Sequence, residues 1–289
     1  MRLIQHRPGY VLVIANAKGG VGKSLYTTNI AGELALRGYN VGIVDTDSQG
    51  NAALYLGMQP ENGLFKALIG VPQSDDSYLP VPLADLVRPV PLDSYIAPDR
   101  DGNPVAQVGG VFLLPGHKET FKIPYLLNDG EAFRDLLDTF IEQYNLDFVL
   151  VDTAPTLSLF DGSIYDAADG FLLVTECAPG SLAGIAECYE RIERKNKRRM
   201  KRRERLSDII GVIPNKYVGG REQALSLGSL QETFGEKVFS VVKLYKMIEK
   251  ASSYGQTVRA NAAWSVPGEL MLSTVDRIEQ TLAGVIYAT

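Results

Sequence analysis

A glycine-rich segment near the N-terminus, NAKGGVGKS at residues 16–24, has the residue types of a loop that binds phosphate groups. In such a loop the backbone N–H groups point at the β- and γ-phosphates of a nucleotide, and glycines keep side chains out of the way. Lys23 would neutralise phosphate charge, and the hydroxyl of Ser24 can ligate magnesium. The segment therefore predicts binding of a nucleotide together with a metal ion.

The loop differs from the common pattern GxxxxGK[ST] in two ways. Ala17 stands where that pattern begins with glycine, and a second lysine, Lys18, lies near the start of the loop. The spacing of Gly22, Lys23 and Ser24 is unchanged. Because the loop also lies between a strand-like run and a helical pattern, we interpret it as a phosphate-binding loop and not as a chance glycine-rich turn.

The elements around the loop indicate an α/β fold. An apolar run at residues 10–16 ends in the loop, and residues 24–37 have helical spacing before Gly38, a residue type favoured just after a helix. Further strand patterns lie at residues 41–44, 110–114, 148–151, 171–175 and 209–213, and a helical pattern lies at 131–144. Strands that alternate with helices predict a doubly wound, mainly parallel sheet with helices on both faces.

Two aspartates directly follow predicted strands. Asp45 follows the strand at residues 41–44, and Asp152 follows the strand at residues 148–151. Ligands of a doubly wound sheet bind at the carboxyl ends of its strands. We therefore expect both carboxylates to lie at the same edge of the sheet as the glycine-rich loop.

The middle of the chain has a different composition. Residues 59–109 are rich in Pro, Asp and Gly, with segments such as VPQSDDSYLPVP that are typical of loops. We interpret them as a loop-rich insertion within one domain and not as a linker between two. The whole chain, residues 1–289, is therefore predicted to form a single domain.

Three motifs together resemble those of the ParA/MinD family of deviant Walker-motif ATPases. The first is KGGVGKS with its second lysine, Lys18. VDTDSQGN at residues 44–51 is similar to the family's DxDPQGN, with Ser48 in place of proline. FVLVDTAP at residues 148–155 is similar to its Walker B strand, with Ala154 where proline is common. The combination is more specific than any one of the motifs.

The resemblance covers most of the chain outside residues 59–109 and 191–205, and it is strongest to Soj-like ParA partition ATPases without an N-terminal helix-turn-helix domain. It implies a P-loop NTPase fold, with ATP and Mg²⁺ as cofactors and hydrolysis to ADP and phosphate. GVIPNKY at residues 211–217 lies where the family's adenine-contacting strand end would be. The implied nucleotide-binding residues are Lys18, Gly19, Gly20, Val21, Gly22, Lys23, Ser24, Leu25, Pro214 and Asn215.

The resemblance also implies a chemical role for single side chains. Lys18 would reach across an ATP-dependent sandwich dimer to the nucleotide of the partner. Lys23 would compensate phosphate charge, and Asp45 would orient the attacking water. Ser24 and Asp152 would hold Mg²⁺, Asp152 through a water molecule.

Structural roles remain open for four residues of this set. Asp152 could cap the N-terminus of a helix, and Asp45 could form an Asx turn at its strand end. Lys18 could be an ordinary surface lysine, and Asn215 could be a turn residue after Pro214.

Charge is unevenly distributed along the chain. The net charge is -5, yet residues 191–205 (RIERKNKRRMKRRER) hold 10 Lys or Arg against 2 Glu. This density is typical of a contact with a polyanion such as nucleic acid or an anionic membrane surface, and a solvated helix face is the plainer alternative. We interpret the basic segment as a non-specific DNA contact made by Arg194, Lys195, Arg198, Arg199, Lys201, Arg202 and Arg203.

Together these features favour a ParA-type ATPase that drives partition or positioning of plasmid, chromosome or protein cargo. The expected partners are a second copy of the chain, non-specific DNA, and a ParB-like or cargo adaptor protein that stimulates hydrolysis. No arginine lies within the three nucleotide motifs to act as a finger. We therefore expect slow intrinsic turnover.

Two other functions share this architecture. A MinD-like protein ends in a basic amphipathic helix that lies in the membrane interface, whereas no Lys or Arg follows Arg277 here. A metabolic P-loop enzyme similar to nitrogenase iron protein would need cysteines that bind a cluster. Cys177 and Cys188 are the only two cysteines, and they do not fit that role.

The sequence contains no segment typical of membrane insertion or export. Its apolar runs are far shorter than the roughly 20 residues that span a bilayer, and residues 1–8 lack the pattern of a secretory signal. We therefore expect a cytoplasmic, nucleoid-associated protein without integral membrane association.

Overall fold

The computed structural model describes residues 9–75, 77–103, 105, 107–155 and 159–287. The strands in this part of the chain are β1 (Tyr10–Ala15), β2 (Val41–Asp45), β3 (Val71–Pro72), β4 (Tyr78–Leu79), β5 (Arg88–Pro89), β6 (Val111–Leu114), β7 (Phe148–Asp152), β8 (Gly170–Glu176) and β9 (Asp208–Asn215). Seven of these described strands form one sheet in the order β5-β6-β2-β7-β1-β8-β9, and β3 pairs with β4 apart from it.

Helices connect these strands. The α-helices in the described residues are α1 (Lys23–Leu36), α2 (Asn51–Tyr55), α3 (Gly63–Leu68), α4 (Leu83–Leu86), α5 (Ile123–Leu126), α6 (Ala132–Tyr144), α7 (Leu159–Ala167), α8 (Pro179–Arg202), α9 (Arg221–Phe234), α10 (Lys246–Ser253), α11 (Val258–Asn261) and α12 (Val266–Tyr287). Short 3₁₀ helices lie at Leu92–Ser94, Lys118–Lys122 and Gly235–Lys237. Of the helices in these ranges, none is long and apolar enough to cross a membrane.

The large sheet is parallel except at one edge. β1 pairs in parallel with β7 and β8, β2 with β6 and β7, and β8 with β9. Only the edge strand β5, among the strands described for this sheet, runs antiparallel to its neighbour, β6. The predicted doubly wound, mainly parallel P-loop NTPase fold is confirmed.

Side chains of the central strands alternate between two hydrophobic cores, because successive strand residues point to opposite faces. Along β1, Leu12 belongs to one core and Val13 to the other. The first core includes Leu34 of α1 and Ile278 of α12, and the second includes Leu137 of α6 together with residues of α7 and α8. The central strands are therefore covered on both faces, and ligands can approach them only at their ends.

The strands that carry the candidate aspartates extend slightly further than predicted. The strand predicted at residues 41–44 includes Asp45, and the strand predicted at residues 148–151 includes Asp152. Asp45 and Asp152 are direct neighbours in the register of β2 and β7. The two carboxylates thus lie at the same edge of the sheet, next to the glycine-rich loop that follows β1.

Residues 59–109 contain more regular structure than their composition indicates. They form α3, the β3–β4 hairpin, α4 and β5. Arg88 and Pro89 of β5 pair with Leu113 and Phe112 of β6. The segment therefore covers the edge of β6, whose backbone groups would otherwise be open to pairing with another chain.

Candidate nucleotide-binding site

The glycine-rich loop passes from β1 to α1 through backbone conformations that favour glycine. Gly20 has a φ of 75° and Gly22 a φ of 107°, both in the left-handed region that side chains disfavour. A Cβ on Gly22 would lie 2.6 Å from Nδ2 of Asn215. The loop leads directly into α1, and the N–H groups and dipole of a helix N-terminus attract phosphate.

Lys23, the first residue of α1, folds back into the loop. It is only 6% exposed, and its Nζ donates a hydrogen bond to the backbone carbonyl of Lys18 at 3.1 Å. Burial lowers the pKa of this ammonium, while Asp152 and Asp47 favour its charged form. A phosphate in the loop would therefore meet a partly desolvated cation, which attracts it more strongly than an exposed lysine does.

Asp152 is fully buried at the end of β7. Its Oδ1 accepts a hydrogen bond from Oγ1 of Thr27 at 3.3 Å. Its Oδ2 is buried and has no hydrogen-bond partner among the residues that the structure describes. Burial raises the pKa of Asp152 to about 7, against the influence of Ser24 and Lys23, which favour the charged form.

Ser24 and Asp152 fit a Mg²⁺ ion. Mg²⁺ prefers oxygen ligands and takes only one or two from the protein when phosphates and waters supply the rest. The Oδ2 of Asp152, which has no hydrogen-bond partner among the described residues, is such an oxygen, and the Ser24 side chain acts on the same carboxyl group. In the described ranges no group of three or more His, Cys, Asp or Glu could form a metal site by itself. The two residues would therefore share the ion with nucleotide phosphates.

Asp45 holds the start of the segment after β2. Its Oδ1 accepts a hydrogen bond from the backbone N–H of Asp47 at 2.9 Å, and its Oδ2 accepts one from the N–H of Ala52 in α2 at 3.2 Å. Burial, with the charge of Asp152 adding to it, raises the pKa of Asp45 well above its usual range. The Asx turn that the sequence left open is therefore present, and it fixes the carboxylate beside the loop.

The side chain of Lys18 contacts β8 and α8 and not the loop that surrounds Lys23. Its backbone N–H donates to Oδ1 of Asn16 at 2.8 Å. Its Nζ donates to Oγ of Ser181 at 2.9 Å and lies 3.4 Å from Oε2 of Glu176. The side chain is 40% exposed, so Lys18 is a partly exposed residue held by two partners of its own chain.

Asn215 supports the loop from the end of β9. Its Nδ2 donates to the backbone carbonyl of Val21 at 2.8 Å, and its Oδ1 accepts a hydrogen bond from the hydroxyl of Tyr26 at 3.3 Å. Both Asn215 and Pro214 are buried. These bonds use one of the two N–H donors of the Asn215 amide and one lone pair of its oxygen, and Asn215 also lines the cleft beside the loop. Its contact with the edge of adenine stays a prediction.

A cleft of about 720 Å³ opens beside the loop. Its lining combines loop residues with residues from the segment after β2 and from the C-terminal part of the chain. The lining residues are Gly19, Gly20, Gly22, Lys23, Ser24, Leu25, Asp47, Gln49, Asn51, Leu54, Tyr55, Pro155, Asn215, Lys216, Lys243, Leu244, Tyr245, Ile248, Glu249, Ser252 and Ser253. The size is within the range of small-molecule and cofactor sites. Apolar residues from α2 and α10 supply the kind of wall against which a base can pack.

Comparison with known proteins assigns the family. A family model for an AAA domain matches residues 9–206. The chromosome-partitioning ATPase Soj of Thermus thermophilus is 32% identical to this chain over 259 residues, which cover 89% of this chain and 90% of Soj. This chain belongs to the ParA/MinD family of Walker-type ATPases. The resemblance predicted from the three sequence motifs is confirmed.

Other ParA/MinD-family proteins share the fold at lower identity. The structure of Cyanothece McdA in complex with ATP aligns with a TM-score of 0.71 and 18% identity, covering 94% of this chain and 97% of McdA. The septum site-determining protein MinD from Pyrococcus horikoshii, complexed with Mg-ADP, aligns with a TM-score of 0.64 and 20% identity, covering 96% and 98% of the two chains. At these identities the likeness concerns the fold.

Two residues next to the loop were not among the predicted site residues. Glu176 ends β8 and Lys216 directly follows β9. Glu176 ends its strand as Asp45 ends β2, so the rule that ligands gather at strand ends was a signal for it. Lys216 lies within GVIPNKY, the segment that resembles the family's adenine-contacting strand end, whereas no comparable signal exists for the α10 residues that line the cleft.

The basic segment forms the C-terminal part of α8 and the turn after it. The helix ends at Arg202, and Arg203 follows in a left-handed conformation with a φ of 58°. Five of the seven predicted DNA contacts are exposed: Arg194, Arg198, Lys201, Arg202 and Arg203.

Arg199 does not fit the predicted contact. It is only 9% exposed, and its guanidinium donates hydrogen bonds to Oγ of Ser207 and to the backbone carbonyls of Arg205 and Asp166. A buried guanidinium must have its donors satisfied inside the protein. Arg199 therefore fastens α8 to its surroundings, and we remove it from the predicted DNA contact.

Lys195 is also engaged within the chain. Its ammonium forms an ion pair with Asp166 and donates to the backbone carbonyl of Gly162 at 3.2 Å, both in α7. Contact with DNA would have to break these bonds. We therefore remove Lys195 from the contact as well, because the exposed arginines of α8 can reach phosphate without such a loss.

Proposed function

We propose that this protein is a Mg²⁺-dependent ATPase that forms an ATP-dependent sandwich dimer, binds DNA non-specifically, and drives partition or positioning of plasmid, chromosome or protein cargo through partner-stimulated hydrolysis. The observation that carries the proposal is the different setting of two lysines in one loop. The side chain of Lys23 is buried in the loop, whereas the side chain of Lys18 is 40% exposed and contacts Glu176 of β8 and Ser181 of α8. Since Lys23 already serves the phosphates of its own chain, Lys18 suits a nucleotide held by a second copy.

Hydrolysis would divide among four side chains. Lys23 would stabilise charge on the phosphate oxygens, and Ser24 and Asp152 would hold Mg²⁺, which would supply further neutralisation of phosphate charge. Asp45 would orient the attacking water. Its two oxygens each accept one backbone N–H, and a carboxylate oxygen has a second lone-pair site that can accept from water.

DNA binding would use the five exposed basic residues of the segment. A dimer carries the segment twice, so both copies could contact phosphates of one duplex. Phosphate contacts position a protein on DNA without reading its sequence, which suits non-specific binding to the nucleoid. A ParB-like or cargo adaptor protein would stimulate hydrolysis. The ATPase itself would act in the cytoplasm, bound to the nucleoid.

Light scattering tests the dimer. With Mg²⁺ and the slowly hydrolysed analogue ATPγS, the wild-type protein should have twice the monomer mass. Lys18→Ala should remain a monomer and still bind the analogue, because Lys23 keeps its place in the loop. Lys122→Ala is a matched control, since Lys122 is about as exposed as Lys18 and lies outside the cleft. A Lys18→Ala protein that dimerises as well as wild type would contradict the trans role.

Phosphate release tests the enzyme. Hydrolysis should require Mg²⁺ and should be lost in Asp45→Asn, while that variant still binds ATP and dimerises. We choose Asn because its side-chain oxygen can still accept a backbone N–H where Asp45 now accepts two. Turnover in Asp45→Asn equal to wild type would reject the water-orienting role.

A further inference from the structure

We propose that Glu176 is a positioning residue for Lys18 and that Lys216 is the counter-ion of Glu176. Together they would set how readily the Lys18 side chain gives up its contacts within its own chain and turns to the nucleotide of a second copy. The inference rests on the proposed ATP-dependent dimer and adds to it a partner for Lys18 within the free chain.

The carboxylate of Glu176 lies between two lysines. Its Oε2 is 3.4 Å from Nζ of Lys18, and its Oε1 is 3.2 Å from Nζ of Lys216. Both lysine side chains are 40% exposed and the glutamate side chain is 23% exposed. One carboxylate thus joins the loop after β1 to the loop after β9, next to Lys216, which lines the nucleotide cleft.

Lys216 is fixed by more than this ion pair. Its Nζ also donates to the backbone carbonyl of Gly20 at 2.6 Å. Its backbone has a φ of 53°, a left-handed conformation that is uncommon for residues other than glycine and that persists where the surroundings hold it in place. Lys216 therefore stays beside Glu176 independently of Lys18.

Lys18 has a second anchor. Its Nζ donates to the hydroxyl of Ser181 on α8 at 2.9 Å, and Ser181 is buried whereas the Lys18 side chain is 40% exposed. When Lys18 leaves, Glu176 keeps Lys216 as its partner. The carboxylate is therefore not left without a counter-ion, and the release of Lys18 costs less than it would without Lys216.

This arrangement predicts opposite effects for its two members. Glu176→Gln removes the charge that holds Lys18, so the ATP-dependent dimer should become tighter. Lys216→Ala leaves Lys18 as the remaining described cation on Glu176, so the dimer should become weaker. Partly exposed ion pairs contribute modestly, and two such sites per dimer give a change of about two- to thirtyfold in the dimer dissociation constant.

The test is a double-variant cycle with ATPγS and Mg²⁺. Dimer dissociation constants are measured by light scattering for wild type, Glu176→Gln, Lys216→Ala and the double variant. In the Glu176→Gln background, we expect Lys216→Ala to change the dimer dissociation constant little, because the carboxylate charge that Lys216 balances is gone. The effect of Glu176→Gln should shrink at high salt, since the pair is partly exposed.

Glu61→Gln is the matched control for this cycle. Glu61 pairs with Arg88 at 3.2 Å, and both side chains are similarly exposed to solvent, but neither lies in the cleft. Glu61→Gln should leave the dimer dissociation constant unchanged. If Glu176→Gln and Lys216→Ala both weaken the dimer and their effects simply add, Glu176 is a structural residue and the proposal is overturned.

A measurement on the free chain separates this proposal from the proposed function. The rate at which an N-hydroxysuccinimide ester acylates Lys18, followed by mass spectrometry, should rise in Glu176→Gln, because the amine loses the carboxylate that holds it. Lys122 serves as the internal reference. If the wild-type protein never dimerises, the proposed ATP-dependent dimer is wrong. The acylation rate would still show whether Glu176 holds Lys18 in the free chain. An unchanged Lys18 rate would refute the role of Glu176.

Discussion

Asp45 and Asp152 end the neighbouring strands β2 and β7 in direct register, yet their carboxylates have different surroundings. Both oxygens of Asp45 accept backbone N–H groups, which fixes the segment after β2. Asp152 keeps a buried Oδ2 without a partner among the described residues. Burial raises the pKa of both side chains. One carboxylate is therefore satisfied by the fold, and the other is suited to a metal ion.

Asp152→Asn should stabilise the free protein at neutral and higher pH. The pKa of Asp152 is raised from 3.8 to about 7, so between these values the folded chain holds a proton that the unfolded chain has lost. The free energy of unfolding of the wild type therefore falls as pH rises from about 4 to about 7. The neutral amide avoids this loss, which is at most about 4 kcal/mol.

Thermal unfolding without nucleotide, measured from pH 4 to 8, checks this prediction. The Tm difference between Asp152→Asn and wild type should grow up to about pH 7 and then level off. Adding ATP with Mg²⁺ should raise the Tm of the wild type more than that of the variant, because the variant lacks the metal-binding carboxylate. A Tm difference that does not change with pH would count against the raised pKa.

Asn215→Ala should weaken binding of ATP and GTP by similar factors. The substitution removes the partners of the Val21 carbonyl and the Tyr26 hydroxyl, so the loop loses support whatever base is bound. The loss of these hydrogen bonds corresponds to roughly five- to thirtyfold in affinity. Calorimetric titration with both nucleotides measures it, and Tyr26→Phe, which removes only one of the two bonds, should lose less. A loss confined to ATP would instead support recognition of adenine by Asn215.

Replacing Arg194, Arg198, Arg202 and Arg203 by Ala should weaken binding to duplex DNA. If each subunit of the dimer neutralises three phosphates, wild-type affinity should fall about a thousandfold between 50 and 200 mM salt. The variant should have a shallower salt dependence, by about 0.9 in the log-log slope for each phosphate that it no longer neutralises. Fluorescence anisotropy on unrelated duplexes measures both quantities.

Arg199→Ala is the contrasting variant. Its guanidinium is buried against Ser207 and Asp166, so its removal should lower the Tm and leave the salt dependence of DNA binding nearly unchanged. If this variant loses DNA affinity as the four-arginine variant does, while its Tm stays the same, our revision of the contact surface is wrong.

Intrinsic turnover should be slow. An arginine finger can accelerate phosphoryl transfer by ~10³-fold or more, and the three nucleotide motifs contain no arginine. Steady-state phosphate release by the protein alone should therefore lie well below the enzyme median of ~10 per second. A rate near that value without DNA or any other protein would contradict the prediction.

Local patterns predicted the loop and the strand ends. Lys23, Ser24 and Asp152 could be predicted because Asp152 ends a buried strand and the two others begin the helix after the glycine-rich loop, and such positions meet at one edge of the sheet. The contact of Lys216 with Glu176 joins two different strand ends, and sequence spacing does not encode such pairs.

The basic segment illustrates a second limit. Arg198 and Arg199 are identical neighbours in a uniform run of charge, yet one is exposed and the other is buried. The difference arises from the packing of α8 against α7 and against the loop before β9, which supplies hydrogen-bond acceptors on one side of the helix only. Composition predicted the charge of this surface, but only tertiary packing selects the residues that can reach a ligand.

The close contact near the start of α8 has a mechanical consequence. Gly184 lies so near Asn16 that any side chain in its place would collide with the Asn16 amide, and Asn16 in turn holds the backbone of Lys18. Arg202 lies at the other end of the same helix. At 1.5 Å per residue, a tilt of about five degrees around Gly184 would move the Arg202 end by roughly 2 Å. One helix thus connects the phosphate-binding loop to the exposed arginines, and the contacts of Arg199 and Lys195 with α7 would have to yield for such a tilt.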